Sequence, residues 1–335
     1  MSSRGNLSQI GEVLNLKIIC VVGWWGEGSA DNTRVQMSVV VLGSINLDLV
    51  ARIDKIPVPG ETRLAHGMLA LPGGKGANQA LAACRMGAHT IMLGMVGEDA
   101  FAMQALKFLR QDGVDLSHIG VSKTSATGLA FIVVEDGGQN AITVVPGANG
   151  EVGTDALTDL QQILGPRDVL VVQCEIPLDV VERAILTAKK VGARVIWDPA
   201  PASKNFPKSL FKADVVTPNQ GEAEILVGGA VTDVRSAKIA ARHLRARGAE
   251  VGIVKLGSQG VVWATARGLF YLPAEEVAAV DAVGAGDAFA GALAAGLDRG
   301  EALSDAIRVA NRAAALSTAK EGAQSSFPWL KEVIG

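Results

Sequence analysis

The sequence predicts an α/β fold: a mostly parallel central sheet between two helical layers, a three-layer α/β/α sandwich. Three observations predict it. Short β-branched runs alternate with helical stretches along most of the chain, the rhythm of a parallel sheet built from strand-helix-strand units. The runs are apolar without polar alternation, as strands covered on both faces must be. Finally, 335 residues with 49% hydrophobic composition suffice to bury a core beneath two helical layers.

The regular pattern begins at Met37. Val39 to Gly43 reads as a buried strand and Ala77 to Met86 as its helix; Thr90 to Val96 with Ala100 to Arg110, and Val169 to Gln173 with Leu178 to Lys190, repeat the pair. Arg194 to Trp197, Asp214 to Thr217 and Val251 to Lys255 extend the sheet, and Asp287 to Gly296 and Leu303 to Thr318 read as the closing helices. Two segments break the rhythm. Leu129 to Val134 and Asn140 to Val145, joined by Glu135-Asp136-Gly137-Gly138-Gln139, predict an antiparallel hairpin. With Leu49 to Ile53 and Arg63 to Gly67 as partners it makes a small β-sheet lid, drawn from about residues 49–67 and 128–146. Arg235, Lys238, Arg242 and Arg245 recur at helical spacing and predict a solvated helix face.

Residues 1–36 stand outside the pattern as an N-terminal extension, and residues 37–335 form one domain. In order of preference the extension reads as a misassigned start ahead of Met37, a disordered or docked segment, or a signal. The signal reading suffers from Glu12 and from the short apolar run Ile18 to Trp25.

Composition narrows the function. A formal charge of -3 carries no basic footprint for nucleic acid or an anionic membrane. Cys20, Cys84 and Cys174 form no CxxC pair and the four histidines are scattered, which argues against a disulfide framework or a zinc site. The Ile18 to Trp25 run falls well short of the roughly 18 apolar residues of a membrane span. A small-molecule partner, no nucleic acid, no membrane and a cytoplasmic location are the expectations.

Four polar clusters carry the chemistry. Near the C-terminus, Asp281-Ala282-Val283-Gly284-Ala285-Gly286-Asp287 opens a helix. Gly284, Ala285 and Gly286 leave backbone N–H groups uncovered where the helix dipole attracts an anion. A carboxylate beside such an anion hole suits a base that deprotonates a hydroxyl attacking a phosphoryl group, which makes Asp287 the candidate. Gly43-Ser44-Ile45-Asn46-Leu47-Asp48 follows the first strand; in extended chain Asn46 and Asp48 point the same way, and an amide beside a carboxylate suits vicinal hydroxyls of a sugar. An Asx turn is the structural alternative.

Pro72-Gly73-Gly74-Lys75-Gly76-Ala77-Asn78-Gln79 opens a helix but fails as a Walker loop, because Gly76 follows the lysine, and neither glycine segment has the third glycine of a dinucleotide fingerprint. Backbone approach to a ligand at Gly74, with Asn78 on the first helical turn, remains; a plain strand-to-helix turn is equally open. Thr217-Pro218-Asn219-Gln220-Gly221-Glu222 suits Mg²⁺ held through water, and equally a helix cap. Gln173-Cys174-Glu175, Asp198 and Leu256-Gly257-Ser258-Gln259-Gly260 also close strands, where ligands gather in such sheets.

Together these segments resemble the PfkB family of carbohydrate kinases, and within it the ribokinase group most closely. The two signatures are Gly-Gly-Lys-Gly-Ala-Asn-Gln from Gly73 and Asp-x-x-Gly-Ala-Gly-Asp from Asp281, with the Asn46 and Asn219 clusters in their proper order, over Met37 to about Pro328. The resemblance implies a phosphotransferase that moves the γ-phosphoryl of ATP to the O5 hydroxyl of D-ribose. Another neutral acceptor (2-deoxyribose, fructose, a nucleoside) and a catalytically silent sugar-binding regulator are the alternatives. It implies sugar contacts from Asn46, Asp48, Gly74, Lys75, Asn78 and Glu175, with Asp287 as the base and Gly284, Ala285 and Gly286 as the anion hole. Nucleotide contacts fall at Asn219, Lys255, Gly257, Ser258, Gly260, Gly286 and Asn311, and Glu222 approaches Mg²⁺ through water. Asp281, Val283, Ser317, Lys320, Gly322 and Ser326 are implied ligands of a monovalent cation, potassium, largely through backbone carbonyls. Ala282 departs from the family's frequent threonine. Exposed strand edges on the lid predict a homodimer.

Overall fold

The computed structural model describes residues 37–137 and 139–335; the N-terminal extension considered above lies outside the described residues. Thirteen strands are described: β1 (Val39–Leu42), β2 (Asn46–Ile53), β3 (Gly67–Gly73), β4 (Thr90–Gly97), β5 (Asp115–Ser122), β6 (Gly128–Glu135), β7 (Asn140–Val145), β8 (Val169–Val172), β9 (Arg194–Trp197), β10 (Val215–Val216), β11 (Val251–Lys255), β12 (Val261–Thr265) and β13 (Gly268–Leu272). Nine form the large sheet in the order β13-β12-β11-β10-β9-β8-β1-β4-β5. It is parallel from β5 to β11, and β12 and β13 close the far edge antiparallel.

Successive residues of a strand face opposite sides, so a continuously apolar strand feeds two cores. Val40, Leu42, Leu170, Val172 and Trp197 enter one apolar cluster, and Val39, Val41, Val169, Val171 and Ile196 the other. Trp197 is fully buried, with the Phe206 and Phe211 rings edge-on at 5.3 and 5.0 Å. The helix Ala285–Asp298, nearly all Ala, Gly and Leu, lies buried beside the helix Lys75–Arg85; small side chains allow that close approach, and a Cβ on Gly291 would stand 2.5 Å from Gln79 O.

The chain leaves β1 toward β4 and β5 on one side and later returns to β8, β9 and β10 on the other. The order therefore reverses at β1, and a crevice opens where its C-terminal end meets that of β8. Gly43 to Asp48 occupies that position.

The lid is a separate four-stranded sheet, β3-β2-β6-β7, with β2 parallel to β6 and the other pairs antiparallel. Its fourth strand corrects one expectation: it is Gly67–Gly73, not Arg63 to Gly67. Pairing decides this, because β2 aligns Asn46 with Gly73 and Asp48 with Leu71, and Pro72 is admissible since β3 is an edge strand. The helix expected over Ala100 to Arg110 is two, Ala100–Ala105 and Lys107–Asp112, broken where Leu106 leaves helical geometry (φ -89°, ψ 3°) and enters the core. The helices Lys75–Arg85, Leu178–Val191, Ala285–Asp298 and Leu303–Ser317 lie within two residues of their expected ends, and the helix Thr154–Ile163 is an addition to those expected. On the helix Val234–Ala246, Arg235 and Arg242 are exposed and Lys238 and Arg245 partly so, as their spacing predicts.

Candidate active site

Asp287 lies in the first turn of the helix Ala285–Asp298 and is 6% exposed. Gly284 caps that helix at φ 78°, a left-handed conformation that favours glycine, and a Cβ there would press on Ala323 at 2.8 Å. Ala285 N–H turns back to Ala282 O at 3.3 Å, while the N–H groups of Gly286 and Asp287 have no backbone acceptor among the described residues. The uncovered donors and the dipole thus sit beside a buried carboxylate. Burial raises the Asp287 pKa; Lys75 opposes that rise, Asp198 adds to it, and hydrogen bonds from Asn78 and Gln79 hold it back.

The residues expected to contact the sugar gather around the same carboxylate. Asn78, on the first turn of the helix Lys75–Arg85, donates from Nδ2 to Asp287 Oδ2 at 2.9 Å. Gly74 stands ahead of that helix at φ 88°, where a Cβ would lie 2.7 Å from Asn46 N. Glu175 Oε2 accepts from Ser44 Oγ at 2.5 Å and from Lys75 N at 3.1 Å, tying the strand ends together. Asp48 is pushed up to about 7 from the ordinary 3.8, first by burial and then by the charges of Glu175 and Asp287. Lys75 faces Asp287, Asp198, Glu175 and Glu222; burial lowers its pKa, but the four carboxylates hold it above the usual lysine value. Lys75 therefore lies within reach of the charges of carboxylates from both parts of the crevice, Glu175 on one side and Asp198 and Glu222 on the other. A cavity of about 410 Å³ opens beside Asn46, walled by Val144 and Pro146 of the lid side and by Cys174, Glu175, Ile176 and Pro201.

Asn219 and Glu222 realise the capping reading: Asn219 Oδ1 accepts from Glu222 N at 2.9 Å, and Glu222 Oε2 from Asn219 N at 2.7 Å. That leaves Glu222 Oε1 without a hydrogen-bond partner among the described residues. Burial raises the Glu222 pKa and nearby Asp198 adds to the effect, while Lys255 opposes it. Asp198 pairs with Lys255 at 3.0 Å. Lys255 reaches the Gly284–Gly286 turn, since a Cβ on Gly286 would lie 3.3 Å from its Nζ. Gly257, Ser258 and Gly260 form the turn between β11 and β12; Gly260 backs onto Leu272 to Ala274, and Asn311 Nδ2 donates to Pro273 O at 2.8 Å. Those four residues therefore share one region.

The strap before Gly284 is joined to the loop after the helix Leu303–Ser317. Asp281 Oδ1 accepts from Val283 N at 3.0 Å and Oδ2 from Gly322 N at 2.9 Å, and Val280 N and Asp281 N both donate to Thr318 O. Ser317 and Ser326 are buried and spend their hydroxyls on the Ala314 and Ala323 carbonyls, while Lys320 extends toward Glu332. One carboxylate with backbone carbonyls is an all-oxygen donor set, which suits a hard cation.

Sequence reasoning missed the amides behind these groups. Asn149, 1% exposed, donates to Asn46 Oδ1 at 2.7 Å and also satisfies the Ile45 N–H and carbonyl. Gln324 donates to Asn78 Oδ1 at 3.0 Å, in a loop held by buried Arg85 through the Gln324 and Phe327 carbonyls. Gln79 and Gln173 form a third such set. No local pattern marks Asn149 or Gln324; Gln79 lies in the glycine motif and Gln173 in the strand-end segment Gln173-Cys174-Glu175, but the sequence assigns neither a role.

A family profile described as pfkB family carbohydrate kinase matches residues 36–330. This chain belongs to the PfkB family of carbohydrate kinases. The kinase is 36% identical over 300 residues to the ribokinase of Haemophilus influenzae, covering 90% of this chain and 98% of that one. It is 37% identical over 313 residues to the ribokinase of Schizosaccharomyces pombe, at 89% and 97% coverage. Among solved structures, Arabidopsis thaliana ribokinase complexed with ribose and ATP superposes with a TM-score of 0.82 at 30% identity, covering 90% of this chain and 98% of that one. The PfkB kinase thus has the three-layer sandwich and the β-sheet lid that its sequence predicts. Among its described residues no helix is long and apolar enough to cross a membrane.

Proposed function

We propose that this kinase transfers the γ-phosphoryl group of ATP to the O5 hydroxyl of D-ribose, giving D-ribose 5-phosphate and ADP. One observation carries the reading: the Asp287 carboxylate stands at a helix terminus with uncovered N–H donors and is gripped by Asn78 from the sugar-side helix. A base, an anion hole and a polyol-binding wall share one crevice, and the ribokinase relatives supply the choice of ribose.

Asn46, Asp48, Gly74 and Glu175 orient the sugar. Asp287 takes the O5 proton as that oxygen attacks phosphorus in line, and the N–H groups of the Gly284–Asp287 turn meet the charge on the transferring oxygens. Lys75 and Lys255 neutralise the phosphate side, and the turn at Gly257, Ser258 and Gly260, with Asn311 and Asn219, holds the nucleotide. Closure of the lid keeps out water that would otherwise hydrolyse ATP.

Glu222, with Oε1 uncommitted, fits Mg²⁺ held through water. Asp281 with the carbonyls of Val283, Ser317, Lys320, Gly322 and Ser326 fits potassium. When bound, Mg²⁺ supplies neutralisation of triphosphate charge and potassium a counter-charge for Asp281. A second copy of the chain covers the outward face of the lid, making a homodimer, and the need for ATP places the enzyme in the cytoplasm. Residues 37–335 constitute the kinase domain.

The test is ADP release over ribose, 2-deoxyribose, fructose and a nucleoside, with and without potassium. Ribose should give the highest kcat/KM, with potassium raising it. A higher value for another acceptor reassigns the substrate, and no release with any sugar overturns the reading. Asp287→Asn should keep ATP binding and lose at least about 10²-fold in kcat; turnover near that of the parent would remove Asp287 from its role.

A further inference from the structure

Gln79 is completely buried and sits between two buried carboxylates. Its single Nε2 donates to Asp287 Oδ1 at 2.9 Å and to Asp198 Oδ2 at 2.9 Å. Its Oε1 accepts from Gln173 Nε2 at 2.6 Å, and Gln173 is also fully buried. Gln173 in turn depends on Gly43, where a Cβ would lie 2.0 Å from Gln173 Oε1. The two carboxylates accept only from a donor, so together they leave the Gln79 amide one usable orientation. Turned over, it would aim an oxygen at two carboxylates and at the same time face Gln173 with a donor against a donor.

We propose that Gln79 is a positioning residue of the phosphoryl transfer: it gives one N–H to each of two like-charged carboxylates, so that Asp287 stays ionised beside Asp198. The inference rests on Asp287 being the general base. Two buried carboxylates joined through one nitrogen repel, and without a donor between them one takes up a proton. A protonated Asp287 accepts nothing from O5. The groups around Asp287 are arranged consistently with this. Lys75 and Asp198 face it, Asn78 donates to its other oxygen, Asp48 lies near enough for their charges to act on each other, and Lys255 is committed to Asp198. Asp198 thus has its own cation and Asp287 shares Lys75, while Gln79 is the neutral group that serves both.

The readout is the pH dependence of single-turnover phosphoryl transfer at saturating ribose and ATP, which a merely structural role would not displace. Gln79→Met keeps the length and apolar bulk of the side chain and removes both donors. The acid limb of its rate profile should move up by about one pH unit, with the rate recovering toward the parent value at alkaline pH and the ribose KM little changed. A profile that overlays the parent, or a rate lowered by one factor at every pH, overturns the proposal. If Gln79→Met does not fold, Gln173→Met keeps Gln79 and frees its amide to turn; a smaller shift in the same direction supports the proposal, and none overturns it. Asp287→Asn separates the two levels. An inactive Asp287→Asn with an unshifted Gln79→Met leaves the base in place and removes only the clamp. An Asp287→Asn that turns over normally removes the base itself.

Discussion

Asp48 is a residue whose charge state changes near neutral pH. Its carboxyl is pushed up to about 7 by burial, then by Glu175 and Asp287, so the ionised form, the one proposed to accept sugar hydroxyls, is present above pH 7 and lost as the pH falls through it. The sugar KM should therefore rise about tenfold for each unit below pH 7 while the ATP KM stays flat; a sugar KM constant from pH 6 to 8 would count against this. Asn149 acts at the same scale but through geometry. It accepts from Ile45 N and donates to Asn46 Oδ1, so that the Asn46 amino group is left to face a ligand. Asn149→Asp keeps the first bond and sets an oxygen against Asn46 Oδ1, which should turn the Asn46 amide and raise the sugar KM about tenfold, a loss of roughly 1.4 kcal/mol. Steady-state kinetics with an unchanged ATP KM would confirm it; an unchanged sugar KM would sink it.

At the scale of elements, the strand β3 and the helix after it make one continuous device. β3 pairs with β2 along its whole length, and Gly74 then turns the chain at φ 88° into the helix that carries Asn78 and Gln79. Gly74→Ala adds a Cβ 2.7 Å from Asn46 N in a conformation that L side chains rarely adopt. It should cost about 1–3 kcal/mol of stability and weaken sugar binding more than ATP binding. Thermal unfolding together with sugar titration checks this; full stability and affinity would show that the turn relaxes freely. The motif's glycines and Asn78 were legible in the sequence, but the strand leading into them was not. Its alternation is masked by exposure on the lid, and only pairing with β2 sets its ends. The same holds for β5, an edge strand, and for the hairpin of β12 and β13, whose short apolar runs carry no helix between them.

For the molecule as a whole, the lid is the element without a finished surface. Met68 and Phe131, on the lid face turned away from Asp48, are 66% and 45% exposed, and β3 and β7 leave unpaired edges. With a second copy closing that face the parent chain is expected to sediment as a dimer, and Phe131→Glu should shift it to monomer and raise the sugar KM, since Val144 of the lid helps wall the cavity beside Asn46. A parent chain that is monomeric at assay concentration would overturn the interface.

What the sequence determined by itself was the sheet class, the lid hairpin, and the glycine and aspartate segments that place Asp287, Asn78 and Asn46 at strand ends and helix starts. Those features are local: periodicity, turn chemistry and short spacing encode them within a few residues. What only the tertiary structure decided was which buried amides hold that chemistry in place. Gln324 and Asn78 are 246 positions apart, Gln79 and Asp287 208, and Asn149 and Asn46 103. A single Gln or Asn carries no signal of its own, because its role comes from the hydrogen-bond partner that folding brings to it.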